Sequence, residues 1–202
     1  MHQVDKGTKS YFMMVCERFH DGFEDDEDKA LFLENVADQT CGKELELSCD
    51  DSTSHCMQML LLHTRSLNVL TRFMSTFLEH VDLMCTHHIG AYVMQTLLEV
   101  SLKYLQSPSV YATSEQEHTD AEANEAPKEA LEVVDVPDGF YELFRTYVNT
   151  IKTFDLLDIM SNSVTSLLFQ ALIMVLQQKD PKMLSSLVKH VAKAVFSQSS
   201  DE

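Results

Sequence analysis

One short pattern recurs along this chain at a nearly constant distance. Residues 54–61 read SHCMQMLL and residues 91–98 read AYVMQTLL, so that their two glutamines lie 37 residues apart. A third copy, SLLFQALI at residues 166–173, follows 75 residues later, and this distance falls to 42 when the acidic segment 107–139 is left out. Repeats of this length are typical of helical solenoid proteins, in which each repeat packs only against its neighbours.

The composition favours helices. Hydrophobic residues make up 45% of the 202 residues, but the chain has only five glycines and four prolines. Strands need more frequent turns than these residues can provide. We therefore expect an all-α protein, an α-solenoid of about three repeats, each with a short helix, a central helix that carries the pattern and a longer third helix. Amphipathic segments for the third helices occur at residues 70–84, 140–159 and 183–196.

The acidic residues divide the chain into segments. The formal net charge is −17, and residues 107–139 contribute nine acidic side chains against one lysine. This composition, with three prolines, predicts a disordered insertion. Residues 1–40 are expected to form an acidic helical lead-in and residues 41–106 the first and second repeats. Residues 140–198 are then the continuation of the second repeat and the third repeat.

The acidic run Glu24–Asp28 indicates the start of a helix. It lies directly before an apolar helical pattern at residues 31–36, and carboxylates stabilise the positive end of a helix dipole. The run lacks the alternating ligands and the glycine of a calcium-binding loop. We therefore interpret these residues as a solvated helix start.

The cysteine pattern and the first residues favour an intracellular protein. Five cysteines occur without a C-x-x-C pair, and the first ten residues are polar. Both features favour a reducing compartment over secretion. No apolar run reaches the length of about 18 residues that a membrane span requires. We expect a soluble protein with no membrane partner.

A metal site and an enzymatic site are both poorly supported by the residue spacing. The sequence CTHH at residues 85–88, with Cys49, His55 and Cys56, lacks the duplicated ligand pairs of a structural zinc site. These cysteines fall in or beside apolar runs, where a free cysteine behaves as a small buried hydrophobe. The chain also lacks a nucleophile motif and a glycine-rich phosphate loop. We predict no metal, no cofactor and no catalysis.

The first copy of the pattern carries a trio of polar side chains, Ser54, His55 and Gln58. Because residues one and four positions apart can share a helix surface, these side chains can face a ligand together. A small polar residue and an amide can hydrogen-bond the edge of one nucleobase while a flat ring between them stacks on its face. The corresponding residues are Ala91, Tyr92 and Gln95 in the second copy, and Ser166, Leu167 and Gln170 in the third. Ala91 offers no hydrogen bond and Leu167 only apolar contact.

This trio, in a repeat of this length, resembles the Pumilio (PUF) repeat family. That family has three-helix repeats, and its base-reading residues occupy positions one, two and five of the central helix. The resemblance implies an RNA-binding α-solenoid of Pumilio-type repeats. It implies base contacts from the residues that match those positions, namely Ser54, His55, Gln58, Tyr92, Gln95, Ser166 and Gln170.

The lead-in resembles the start of the nucleolar group of Pumilio-like proteins. The similar residues are LFLENV at 31–36 and GKELEL at 42–47. Membership of this group implies binding of ribosomal precursor RNA during small-subunit rRNA maturation, pre-ribosomal protein partners, and a location in the nucleolus and nucleus. Proteins of this group have more repeats than the three recognised here, so a shortened form with weak RNA binding is a further expectation.

The charge leaves a rival interpretation open, a HEAT or armadillo-like scaffold that binds another protein. RNA phosphates are held mainly by lysine and arginine, and a net charge of −17 favours a protein partner instead. If the partner is RNA, the expected backbone contacts lie in the C-terminal part, where the charge is positive. They are Lys152, Lys182, Lys189 and Lys193.

The end of the third repeat is expected to expose apolar residues. A solenoid buries each repeat against the next, and a repeat without a following neighbour leaves an apolar surface open. We therefore expect self-association or marginal stability. The residues expected at this exposed end are Leu187, Val188, Val191 and Phe196.

Overall fold

The computed structural model describes residues 3–106, 138–153 and 163–198, and all regular structure within these ranges is α-helical. This confirms the all-α prediction. Residues 107–137, most of the predicted acidic insertion, lie outside the described residues. The helices are α1 (Lys6–Asp21), α2 (Asp26–Gln39), α3 (Glu44–Ser48), α4 (Ser54–His63), α5 (Leu67–Glu79), α6 (Val81–Thr86), α7 (Gly90–Gln106), α8 (Asp138–Ile151), α9 (Ser163–Lys179) and α10 (Pro181–Gln198).

The helices follow the expected order of short, central and third helix. α3, α4 and α5 form one unit, and α6, α7 and α8 form the next, with residues 107–137 between its central and third helices. α9 and α10 are the central and third helices of a further unit. The central helices pack in chain order, α4 against α7 and α7 against α9. The helices therefore form the predicted solenoid.

The amphipathic segment 70–84 is not one helix. It is divided at His80, which has φ −127° and ψ 31° and separates α5 from α6. α5 is the third helix of its unit, and α6 is the short first helix of the next. The sequence pattern continues across this boundary because both helices bury apolar residues, among them Phe77 and Val81.

The lead-in contains a helix that packs as a central helix. α1 lies against α4, and Lys9 forms an ion pair with Asp50, whose N–O distance is 2.5 Å. α1 buries Phe12 and Val15, which lie 41 residues before the buried Thr53 and Cys56. The stack of central helices therefore begins at α1, one unit earlier than the sequence pattern predicts.

The start of α2 confirms the interpretation of the acidic run. Asp25 caps the helix, because its Oδ1 accepts a hydrogen bond from the backbone N–H of Asp28 at 2.7 Å. Asp26, Glu27 and Asp28 then occupy the first turn. Carboxylates at this position compensate the free N–H groups and the positive end of the helix dipole.

Each copy of the pattern ends in two aliphatic residues, which contribute to the hydrophobic core. Their side chains are fully buried in the first two copies, at Leu60, Leu61, Leu97 and Leu98. Gly90 allows α7 to begin close to α3, because a Cβ there would lie 2.9 Å from the Cys49 sulfur. The repeated spacing thus reflects packing as well as surface chemistry.

A buried ionic contact joins α2, α3 and α5. The Arg72 Nη2 donates hydrogen bonds to the Ala37 carbonyl oxygen at 2.6 Å and to Thr40 Oγ1 at 2.7 Å. Its Nε lies 2.6 Å from Glu44 Oε1, and the Glu44 side chain is only 3% exposed. The Arg72 guanidinium thus connects the end of α2 with α3, the first helix of the next unit.

Tyr147 connects the chain across the acidic segment. Its ring on α8 is fully buried, and its hydroxyl donates a hydrogen bond to the Met74 carbonyl oxygen on α5 at 2.9 Å. Burial raises the pKa of this phenol well above its ordinary value. The contact fixes α8 beside the third helix of the preceding unit.

The predicted exposed end is only partly correct. Leu187 is fully buried, so its predicted exposure is wrong. It lies in α10, which packs against α9. Val188 and Phe196 are exposed, by 52% and 70%, and Val191 is half-buried. Within the described residues, no helix combines the length and apolar character that a membrane crossing needs.

Candidate nucleic-acid interface

The first predicted trio lies in the first turns of α4. His55 is exposed and Gln58 is half-buried, so both side chains reach the surface. Ser54, the first residue of α4, is only 7% exposed. The ring and the amide are therefore more accessible than the hydroxyl.

The second trio lies at the start of α7. Tyr92 is 47% exposed, whereas Ala91 is 1% exposed. Gln95 is half-buried, and its Nε2 donates a hydrogen bond to Glu99 Oε1 at 2.8 Å. This repeat therefore presents an accessible ring and an amide whose orientation is set by a neighbouring carboxylate.

The third trio lies at the start of α9. Gln170 is exposed and Ser166 is half-buried. The side chain of Leu167 lies outside the described residues. The predicted apolar contact at this position stays a prediction.

The three helices together present one surface, which we call the central-helix face. On each helix the exposed and half-buried residues of this surface are three, four or seven positions apart, as on one side of an α-helix. α4 packs on α7 and α7 packs on α9, so these equivalent positions lie on neighbouring helices. The face consists of His55, Gln58 and Leu62 on α4, Tyr92, Gln95 and Glu99 on α7, and Gln170 and Met174 on α9.

The structure adds neighbours that the sequence pattern did not indicate. The His20 ring at the end of α1 lies over the His55 ring, with centroids 6.3 Å apart and planes 23° apart. The positions on α1 that lie 41 residues before the first trio are occupied by Met13, Met14 and Glu17, and all three are exposed. The i,i+4 spacing of Gln95 and Glu99 was visible in the sequence, but the contact of His20 depends on tertiary packing.

The lysines expected to contact an RNA backbone lie on a different layer. Lys152 directly follows α8, and its Nζ donates a hydrogen bond to Ser186 Oγ at 3.2 Å on α10. Lys182, Lys189 and Lys193 are exposed on α10. α8 and α10 are third helices, so these lysines are not members of the central-helix face.

The cysteines behave as apolar core residues. Cys49, Cys56 and Cys85 are all buried, which confirms their interpretation as small hydrophobes. Burial raises the thiol pKa of Cys49 and Cys85 to about 11 and that of Cys56 further still. Thiols with such pKa values hold few thiolates at neutral pH, and the thiolate is the form that binds metals and attacks electrophiles.

Comparisons with known proteins identify the repeats. The model of the NOP9-like PUF repeat domain matches residues 42–194. Nucleolar protein 9 of Candida albicans (strain WO-1) is 29% identical over 178 residues, which are 88% of this chain and 24% of the relative. Nucleolar protein 9 of Scheffersomyces stipitis is 26% identical over the same shares of both chains. The chain thus spans about a quarter of the length of these relatives.

Solved structures of APUM23 have the same fold. One, described as a deletion of the insert region with GGAAUUGACGG, has a TM-score of 0.66 and 18% identity and covers 95% of this chain and 32% of that chain. Another, described with GGAGUUGACGG, has a TM-score of 0.61 and 20% identity and covers 84% of this chain and 26% of that chain. The family match extends over well over half of the chain, and this chain therefore belongs to the NOP9-like PUF repeat family.

Proposed function

We propose that the central-helix face binds single-stranded RNA, and that the protein acts by this binding in small-subunit rRNA maturation. One observation carries the proposal. Three consecutive packed central helices present a glutamine at the same repeat position, Gln58, Gln95 and Gln170. A surface built for a single protein partner does not require the same amide in every repeat, whereas a chain of stacked bases offers one similar edge per repeat.

The chemistry of the face suits bases better than phosphates. Each amide provides both donors and acceptors for a base edge, and the rings of His55 and Tyr92 can stack on a base. The eight residues of the face include one carboxylate, Glu99, and no lysine or arginine. We therefore expect affinity to come mainly from base contacts, with less dependence on salt than in a phosphate-binding protein.

The proposed cellular role is supported by the relatives. The two relatives described above are named Nucleolar protein 9, and the APUM23 structures are described with the sequences GGAAUUGACGG and GGAGUUGACGG. By this likeness the proposed partners are ribosomal precursor RNA and pre-ribosomal proteins, and the proposed location is the nucleolus. The proposed action is occupancy of the RNA, which shields or positions it, and not catalysis.

The double variant Gln58→Ala/Gln95→Ala should bind RNA about ten to one hundred times more weakly than wild type. Each truncation removes hydrogen bonds to one base edge, and tenfold in affinity corresponds to about 1.4 kcal/mol. The measurement is fluorescence anisotropy with labelled small-subunit ribosomal precursor RNA and with an unrelated single-stranded RNA, at two salt concentrations. Both glutamines are on the surface side of their helices, so the variant should keep the helical circular dichroism of wild type.

A matched control removes two amides that lie outside the central helices. Gln39 on α2 and Asn149 on α8 are both exposed, and the variant Gln39→Ala/Asn149→Ala should bind RNA like wild type. Equal loss in both double variants would argue against a specific face. Absence of RNA binding by wild type would favour the protein-scaffold interpretation.

A further inference from the structure

A row of lysines runs along the exposed side of α10. Lys182, Lys189 and Lys193 are separated by seven and four positions, which are nearly whole turns of an α-helix, so their side chains share one side. All three are exposed. Lys152, which directly follows α8, lies at the gap in this row, because its Nζ donates a hydrogen bond to Ser186 Oγ at 3.2 Å. We call these four lysines the lysine stripe.

The lysine stripe lies in a part of the chain that contains little acid. Residues 163–198 have four lysines and one carboxylate side chain, Asp180, although the whole chain has a net charge of −17. Asp180 already accepts a hydrogen bond from the Met183 backbone N–H at 2.9 Å, and its Oδ2 lies 4.0 Å from Arg145 Nε. Among the residues that the structure describes, no ion pair joins a lysine of the stripe to a carboxylate. An anionic partner would therefore relieve the repulsion between these like charges.

The spacing along this side of α10 fits a second helix. Successive positions alternate between four and three residues apart, at Lys182, Ser186, Lys189, Lys193 and Phe196. Two helices that lie side by side present side chains to each other at this interval. The Phe196 side chain is 70% exposed, so the row of charges ends in an apolar contact surface. Helix pairs combine apolar contacts with charged pairs at their edges, and the charges select the partner.

The position of the stripe in the fold favours a protein partner over RNA. α8 and α10 are third helices, whereas the central-helix face is formed by α4, α7 and α9. RNA that is held through its bases on the central helices leaves the third-helix layer open to another molecule. A partner on the stripe does not have to displace RNA from the central-helix face.

We propose that the lysine stripe docks an acidic amphipathic helix of a partner protein. Carboxylates of that helix pair with the lysines, and its apolar residues cover Phe196. This inference goes beyond RNA binding by the central-helix face and does not depend on it.

Fluorescence anisotropy with the full chain and a labelled acidic peptide tests the proposal. The peptide is about 20 residues long, which is enough for an isolated helix, and it carries glutamates and leucines at intervals of four and three. A scrambled peptide of the same composition has no acidic side. We expect the helical peptide to bind about fivefold more tightly or better, because its carboxylates can meet several lysines at once. Added salt should weaken this binding, because exposed ion pairs are screened.

A lysine double variant and a matched control locate the binding surface. Lys189→Gln/Lys193→Gln removes two charges from the stripe and should weaken binding of the helical peptide about five- to tenfold. Lys43 and Lys103 are exposed outside α10, and Lys43→Gln/Lys103→Gln should change binding by less than about twofold. Both variants remove the same charge from the chain, so a difference between them reports position. The charge reversal Lys189→Glu/Lys193→Glu should bind a peptide with lysines in place of the glutamates.

The other possible occupants of the stripe give distinct results. Equal binding of the helical and scrambled peptides, or equal binding by wild type and Lys189→Gln/Lys193→Gln, would overturn the proposal. Weaker binding of single-stranded RNA by this variant, without peptide binding by wild type, would assign the stripe to phosphates and overturn it too. Peptide binding that required replacement of the acidic residues in 107–139 would show that the chain's own carboxylates hold the lysines, which also contradicts a partner helix.

Discussion

Replacement of Arg72 by methionine should lower the free energy of unfolding by about 3 kcal/mol. The variant leaves Glu44 as an uncompensated carboxylate that is 3% exposed, and it removes one of the two side-chain donors to the Ala37 carbonyl. We expect the lower end of the range for broken buried pairs because the Arg72 side chain itself is 29% exposed. Urea unfolding followed by circular dichroism measures the change.

The control for Arg72→Met is a second replacement, which removes the Glu44 carboxylate that the first one leaves unpaired. The variant Glu44→Met/Arg72→Met has neither charge, and it should recover most of the lost stability, because apolar groups can replace a buried ion pair at little cost. Thr40 Oγ1 still donates to the Ala37 carbonyl oxygen at 2.6 Å, so that oxygen keeps a partner. A single variant within about 1 kcal/mol of wild type would contradict the importance of this contact.

Replacement of Tyr147 by alanine should cost about 3 to 5 kcal/mol of stability, as is usual for a buried aromatic side chain. The ring is fully buried between α8 and the preceding unit, and its hydroxyl is bonded to Met74. Tyr147→Phe keeps the ring and should cost only about 1 kcal/mol, the value of one hydrogen bond. Urea unfolding again measures both changes.

A tyrosine on the surface provides the matched control. Tyr92 is 47% exposed, and Tyr92→Ala should change stability by less than about 1 kcal/mol. If Tyr147→Ala cost no more than Tyr92→Ala, α8 would not be fixed to α5 as the structure shows. This result would also place residues 138–151 outside the solenoid.

Local patterns in the sequence predicted the repeat fold. The recurrence of a glutamine before two aliphatic residues reflects one helix packed in the same way in successive units, with Leu60, Leu61, Leu97 and Leu98 buried. The acidic run before α2 likewise acts within a single helical turn. Such features depend on residues close in the chain, so periodicity and capping rules can detect them.

Features that depend on distant residues could not be predicted. α1 packs as a central helix, yet it lacks the reader trio, so its sequence gave no repeat match. Arg72 reaches Ala37 across 35 residues, and His20 reaches His55 across the same number. The exposure of Leu187 was predicted wrongly for this reason, since α10 turns that side chain towards the core.

The candidate site could be predicted in part from the sequence. The repeated pattern predicted the positions of Gln58, Gln95 and Gln170, and the structure shows all three on helices that pack side by side. Burial of Ser54 and the bond from Gln95 to Glu99 change what each trio can offer. The base contacts themselves remain a prediction.

Mapping of photo-crosslinks tests most directly whether RNA lies on the central-helix face. Wild-type protein is crosslinked to precursor RNA that contains 4-thiouridine, digested with trypsin and analysed by mass spectrometry. We expect adducts on peptides 44–65 and 73–103, which contain His55 and Tyr92. Adducts confined to the third-helix peptides 146–152, 183–189 and 190–193 would contradict the proposal and place the RNA on α8 and α10.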